Sequence, residues 1–310
     1  MLALVKASLL LGAVLLIGAG VFGRFVAPEL QGVRRPLVLG SSLGAAMLLI
    51  GSIVDVTQTL NNVVSRYDAA LLTDYMRSTR HGNAVLVRLG LVFAVTFSTF
   101  WWIRSAHALS TTARRINHAL YLSLSLALLA TFSWTSHAAA MGGVPPLLAD
   151  LAHFSAASAW PGAVLYLALV PVWSEPRREM LNRALKRVSA LGLACVALLF
   201  ITGGYTSLIH LQNPERFAAS PYGQALIYKL LLVGVIVGLA AYNRFWLLPA
   251  SLNGNFMNRF QYMLRLEALT LIAVFIITGI LTTSATPHEP GVQPTVFENL
   301  TALLRYLGVM

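Results

Sequence analysis

Residues 134–160 read WTSHAAAMGGVPPLLADLAHFSAASAW, and this stretch predicts a tight helical hairpin inside a membrane. One apolar segment ends, the glycine and proline pairs within 142–146 form the turn, and the next apolar segment starts at once. A helix rises about 1.5 Å per residue, so His137 lies roughly 6 Å and His153 roughly 10 Å from the turn. The hairpin therefore brings two imidazoles to a similar depth below one membrane face.

Two further polar side chains accompany these histidines. Met141 follows His137 by four residues and Asp150 precedes His153 by three, and residues at these spacings share a helix face. Polar groups inside a bilayer are costly, which makes them functional candidates by default. The stretch thus predicts a site built from imidazole, thioether and carboxylate groups.

The composition is that of a polytopic membrane protein. Of the 310 residues, 57% are hydrophobic and 11% are charged, whereas soluble domains carry about 25% charged residues. The single cysteine, Cys195, excludes an intrachain disulfide and a CxxC metal site, and we expect it to be a small core residue. The formal charge of +11 does not indicate nucleic-acid binding, because the basic residues lie in short loops between apolar segments.

The fold class that follows is an all-α integral membrane protein with a bundle of eight transmembrane helices in a single domain, residues 1–310. The predicted segments are residues 2–22, 36–60, 84–103, 116–141, 146–173, 188–211, 222–248 and 260–283. Most Lys and Arg residues fall in the loops after the odd-numbered segments, so these loops face the cytoplasm and both termini lie on the periplasmic side.

Two polar stretches on the periplasmic side have apolar residues at helical spacing. Residues 61–82 and 292–310 are therefore predicted to be interfacial segments. Each is either a helix on the membrane surface or a lid over the histidine site, and the sequence leaves both interpretations open.

Five of the seven histidines fall on the predicted periplasmic side: His81, His137, His153, His210 and His288. We interpret His81 as an ordinary interface histidine. The predicted metal ligands are His137 and His153, with Met141 and Asp150, and with His210 or His288 completing the set.

Four other residues within the apolar segments are functional candidates: Lys229, Glu267, Asp55 and Trp160. Lys229 and Glu267 lie in opposite halves of the bilayer, so a direct pair between them is not expected. Lys229 has Asp55 or Asp150 as possible partners, and Glu267 has Arg244 or Arg187. These groups either hold helices together as ion pairs or belong to a translocation path.

The ligand types favour copper over zinc or iron–sulfur chemistry, since thioether suits Cu(I) and imidazole with carboxylate suits Cu(II). No HExxH, GxSxG, Walker or Rossmann pattern is present, so we predict a protein that is not an enzyme. Facing membrane histidines also fit a b-type haem, although a hairpin with both residues so near the surface leaves little room for a macrocycle.

Several short motifs in the second half resemble the CopD/PcoD family of bacterial copper-resistance membrane proteins. They lie within residues 183–287, the CopD-like core, and comprise Lys186-Arg-Val-Ser189, Thr202-Gly203, Ser220-Pro-Tyr-Gly223, Lys229, Asn243-Arg244-Phe245, Arg265-Leu-Glu267 and Leu281-Thr-Thr-Ser-Ala-Thr-Pro287. The Ser136-His137 and Asp150-Leu-Ala-His153 groups, with Ala159-Trp160, are also similar to the family's central helices.

The resemblance implies copper movement across the bacterial inner membrane, with a periplasmic CopC-type protein as donor. Two other functions stay open on the residues alone. One is a b-type haem-binding redox protein, and the other is a copper-delivery or assembly scaffold that does not transport. A homodimer is compatible with the sequence but is not required by it.

Overall fold

The computed structural model describes residues 2–28, 33–64, 68–106, 108–136, 143–169, 175–210, 220–247 and 257–284, with the single residues 139 and 305. These residues contain no strand and form nine α-helices: α1 (Leu2–Val21), α2 (Arg34–Val63), α3 (Ala69–Ser78), α4 (Arg80–Ser105), α5 (Thr111–Ser133), α6 (Val144–Ala168), α7 (Glu175–His210), α8 (Pro221–Tyr242) and α9 (Met257–Leu281). Short π-helical segments, Phe22–Val26 and Asn243–Leu247, extend α1 and α8.

Seven helices in the described part are long and apolar enough to cross a membrane. The spans are Leu2–Val26, Arg34–Val63, Arg80–Ser105, Thr111–Ser133, Asn182–Ser207, Pro221–Leu247 and Arg259–Leu281. Helix α6 is the predicted span that does not reach this apolarity. The structure therefore agrees with a helical membrane protein, while eight crossings and the orientation of the termini stay predictions.

Helix α1 lies at the centre of the bundle and packs against α2, α6 and α9. Glycines permit the close approach: a Cβ added to Gly18 would lie 2.5 Å from the Cα of Gly162 in α6, and one added to Gly12 would lie 2.9 Å from the carbonyl oxygen of Gly44 in α2. Small residues at such crossings allow backbones to meet, which is how membrane helices gain packing energy.

Two helix boundaries differ from the prediction by eight residues or more. Helix α5 ends at Ser133 rather than continuing to Met141, because the hydroxyl of Thr135 donates to the carbonyl of Phe132 and competes with the helical ladder. Helix α7 starts at Glu175, well before the predicted residue 188. Its first turns are rich in Glu, Arg, Met, Leu and Lys, which are good helix formers but too polar to be recognised as a membrane span.

The predicted interfacial segment 61–82 contains the end of α2, the whole of α3 and the start of α4. Asp68 caps α3 by accepting a hydrogen bond from the amide of Leu71. Leu72, Tyr75 and Met76 of α3 pack against the ends of α2 and α4. Helix α3 thus covers the α2–α4 end of the bundle. Apart from residue 305, the second predicted segment, 292–310, lies outside the described residues.

Candidate metal centre

His153 lies on α6 and is partly buried. Its Nδ1 is 3.0 Å from Oγ1 of Thr202 on α7. The Thr202 hydroxyl also lies 2.7 Å from the carbonyl oxygen of Leu198, which only accepts hydrogen bonds. A hydroxyl has one proton to donate, so that proton goes to Leu198 and Thr202 accepts from His153. The proton of the neutral imidazole is therefore on Nδ1, and the lone pair on Nε2 is available to a metal.

Asp150 lies one turn before His153 on the same helix. Its Oδ2 accepts a hydrogen bond of 2.9 Å from the hydroxyl of Ser136, which follows the end of α5. Lys229 of α8 interacts electrostatically with both Asp150 and His153. The structure thus places a carboxylate and an imidazole of α6 within electrostatic range of an ammonium group on α8. Of the two partners expected for Lys229, the one found near it is Asp150.

The remaining predicted ligands are not placed by this structure. His137, Met141 and His288 lie outside the described residues, and His210 is the last residue of α7 with a side chain that is also outside them. The described residues contain no group of three or more His, Cys, Asp or Glu side chains able to hold a metal ion. Asp150 and His153 are the two members of the predicted ligand set whose side chains the structure describes.

Asp55 belongs to a second polar cluster, formed by α1, α2, α3 and α4. Its Oδ2 lies 2.8 Å from Nζ of Lys6 and 3.1 Å from Nε2 of His81. Nδ1 of His81 lies 2.8 Å from the hydroxyl of Tyr75 on α3. Burial raises the pKa of Tyr75, and the Asp55 carboxylate raises it further, so the hydroxyl keeps its proton at neutral pH.

The sequence did not reveal this cluster, because its members are widely separated along the chain. His81 was expected to be an ordinary interface histidine, yet in the structure it bonds to a carboxylate that is only 1% exposed. The single available signal was Asp55 itself, a carboxylate within an apolar segment.

Arg24 and Arg88 are two further charged groups that are buried in the structure. Arg24 follows the predicted segment 2–22, and in the structure it lies in the first π-helical segment and donates to the carbonyl of Ser98 at 2.8 Å. Arg88 is buried in α4 and donates to the carbonyl and hydroxyl of Thr131 on α5. Both guanidinium groups therefore join neighbouring helices through oxygen acceptors.

Glu267 lies at the opposite end of the bundle, beside a cavity of about 260 Å³. The cavity is lined by residues of α6 from Trp160 to Leu167 and of α7 from Leu185 to Val196, whereas His153 and Thr202 lie outside these two stretches. Glu267 accepts a hydrogen bond of 2.9 Å from Nδ2 of Asn243. The expected partner Arg244 donates instead to the hydroxyl of Ser189.

Comparison with known proteins identifies the family. Residues 182–281 match the family described as Copper resistance protein D, and residues 1–147 match the one described as Copper resistance protein D-like, N-terminal domain. The chain belongs to the copper resistance protein D family. This family gives the protein a copper-related function and, with its apolar helices, makes it a multi-pass membrane protein.

Two relatives of this protein carry names that refer to copper. Copper resistance protein D of Pseudomonas syringae pv. tomato is 26% identical over 272 residues, which cover 79% of this chain and 82% of that protein. Copper transport protein CutJ of Bacillus subtilis (strain 168) is 26% identical over 269 residues, which cover 84% of this chain and 47% of that protein. The chain thus spans about half the length of the second relative. No solved structure matches it.

The motifs that carry the resemblance to the copper resistance protein D family meet at two places in the structure. Thr202 and Lys229 join His153 at one end of the bundle. The pairs Ser189–Arg244 and Asn243–Glu267 line the cavity at the other end. Residues that are dispersed along the sequence therefore form two local clusters, both in contact with α6.

Proposed function

We propose that this protein carries copper across the bacterial inner membrane, and that copper enters from the periplasmic side and binds His153. The observation that supports this proposal is the hydrogen bond between His153 and Thr202, which leaves Nε2 free as a ligand atom. Metal-binding histidines usually have such a partner on their other ring nitrogen. An imidazole oriented in this way inside a membrane bundle is suited to bind a metal ion.

The proposed ligand set combines Nε2 of His153 with the carboxylate of Asp150 one turn away. His137 and Met141 complete it from the preceding turn, with His210 or His288 as a further ligand. Nitrogen, oxygen and thioether donors together suit copper in either oxidation state. Lys229 holds a positive charge next to Asp150, so an arriving copper ion competes with that ammonium for the carboxylate.

The proposed copper source is a periplasmic CopC-type donor that delivers the ion at the His153 end of the bundle. No nucleotide-binding pattern is present in the sequence. Movement of copper is therefore passive, coupled to an ion gradient, or driven by transfer to a partner.

The deciding experiment measures copper and iron in the purified protein after copper loading and desalting, and then copper entry into proteoliposomes. We expect about one or two copper ions per chain with negligible iron, and loss of bound copper in His153→Ala. His118→Ala is the matched control, because His118 lies at the other end of the bundle between Phe25 and Trp102.

Three results would contradict the proposal. Unchanged copper content in both His153→Ala and His137→Ala removes the site assignment. Iron near one per chain identifies a haem protein with these histidines as axial ligands. Copper binding without entry into proteoliposomes identifies a delivery or assembly scaffold.

A further inference from the structure

Trp160 is the cavity-lining residue of α6 that lies nearest to His153 in the sequence. It follows His153 by seven residues on α6, which places it on the same helix face about 10 Å further along the axis. Its side chain is 5% exposed and forms part of the cavity wall. The indole lies directly on Gly192 of α7, where an added Cβ would be 2.8 Å from the indole Nε1. Glycine at this position allows the flat ring to lie against the helix backbone.

The cavity lies in a gap between two pairs of helices. Helix α7 packs mainly on α6, and α8 packs mainly on α9. Between them, the wall is apolar along Trp160, Val164 and Leu193, and Leu193 is itself exposed. At the cavity, the hydrogen bond from Arg244 to Ser189 connects the second π-helical segment to α7.

The polar end of the cavity carries oxygen donors. Glu267 is 3% exposed, and its described hydrogen-bond partner is the amide nitrogen of Asn243. The other side-chain atom of Asn243, Oδ1, is buried and has no hydrogen-bond partner among the described residues. Buried polar atoms are rarely left unpartnered. The carboxylate of Glu267 and the amide oxygen of Asn243 thus have fewer hydrogen-bond donors around them than they can accept. Oxygen groups in this state form a site that accepts a cation.

We propose that this cavity is the inner half of the copper path, and that Trp160 packed on Gly192 is the gate between it and His153. This inference rests on the proposed function. Copper that passes Trp160 meets the oxygens of Glu267 and Asn243 before it leaves the bundle. A shift of α7 away from α6 opens the gate.

The only cysteine of the chain provides a native reporter for this gate. Cys195 lies one turn after Gly192, is 7% exposed and contacts the backbone of Trp160. The experiment follows labelling of this thiol by N-ethylmaleimide in proteoliposomes, together with copper entry. In Trp160→Ala we expect labelling to become about tenfold faster, because labelling tracks the open population. In the same variant, the rate of copper entry should also rise, while the amount of copper bound per chain should stay unchanged.

Two controls and one inner-site variant complete the test. Trp101→Ala removes a tryptophan that is 50% exposed on α4, and neither rate should change. Trp160→Phe keeps an aromatic ring and should give a smaller increase, which preserves the test if the alanine variant does not fold. Glu267→Gln keeps the shape of the side chain but removes its charge, and it should slow copper entry about tenfold.

The outcomes separate the two proposals. If the folded Trp160 variants label and transport like the wild type, or if Glu267→Gln transports normally, the gate and inner path are wrong even though copper moves through the protein. If the wild type moves no copper, the proposed function fails. Cys195 labelling then still decides whether Trp160 closes the cavity.

Discussion

At the scale of single residues, the arrangement around His153 depends on one hydroxyl group. Thr202 donates its proton to the carbonyl of Leu198 within its own helix, and for that reason it can only accept from His153. The tautomer of the imidazole is thus fixed by a residue that cannot itself be a strong copper ligand. A sequence search for ligand types does not find such a residue.

Replacing Thr202 with valine tests this role. The change keeps the shape of the side chain but leaves the Nδ1–H of His153 without an acceptor, so copper affinity should fall about 10- to 100-fold. Copper titration against a competing chelator measures the change. Thr202→Ser should bind like the wild type. Thr206→Val, one turn away, serves as the control, because the Thr206 hydroxyl donates to the backbone carbonyl of Thr202. Equal affinity in Thr202→Val would show that the hydroxyl does not set the tautomer.

A second residue-scale prediction concerns Asp55. The carboxylate accepts from both Lys6 and His81, so Asp55→Asn removes the charge that Lys6 needs as a partner. Loss of one member of a buried pair costs about 3–5 kcal/mol. We expect the lower end of that range, because the Lys6 side chain is 31% exposed. Thermal unfolding in detergent measures the loss. Asp74→Asn on the exposed face of α3 should leave the melting temperature unchanged, and a similar fall in both variants would contradict the prediction.

At the scale of elements, α3 is attached to the bundle by a few contacts. The helix has ten residues and none of them is buried. Leu72 and Met76 pack on α2 and α4, and the hydroxyl of Tyr75 reaches His81. A helix of this length is marginal in water without such tertiary contacts. Within the described part of the chain, this attachment couples α3 to the Asp55 cluster.

Tyr75→Phe should loosen α3 without unfolding the bundle. Losing one hydrogen bond costs about 0.5–1.5 kcal/mol, so amide hydrogen exchange in residues 69–78 should become faster while exchange in α4 stays the same. Tyr228→Phe is the matched control, since Tyr228 is exposed on α8. Unchanged exchange in α3 would show that the apolar contacts alone hold the helix.

At the scale of the whole molecule, the bundle is organised around α1. The order of the helices along the sequence gives α1 no special role. In the structure, however, it packs against α2, α4, α5, α6 and α9. Its approach to α6 is so close that Gly18 and Gly162 face each other without room for a Cβ on either. Helix α6, which carries Asp150, His153 and Trp160, is therefore positioned by backbone contact with the centre.

Gly162→Ala should destabilise the whole protein. The added methyl group would lie 2.5 Å from the Cα of Gly18, so the two helices must move apart, and overpacking of this kind costs about 1–3 kcal/mol. Gly238→Ala on α8 is the opposite control. It has nothing within 4 Å, so alanine should be neutral or stabilise by roughly 0.5–1 kcal/mol through helix propensity. Equal melting temperatures for the two variants would refute the close crossing.

The sequence by itself determined the class of the protein and most of its helices. Apolar segments about 20 residues long identify membrane spans, and helical spacing placed Asp150 near His153 because both belong to one helix. The family resemblance also follows from short motifs within single segments. Hydropathy and helical period are local properties, so they can be recognised without knowing which helices are neighbours.

Only the tertiary structure decided which helices meet. The bond from His153 to Thr202, the cluster of Lys6, Asp55 and His81, and the contact of Trp160 with Gly192 all join residues on different helices. In a membrane, lipid tails are as apolar as leucine, so the faces of a helix that contact lipid and protein have similar hydropathy. The pattern that reveals the buried face of a soluble helix is weak here, and partners are selected by the shape of glycine contacts and by a few polar bonds.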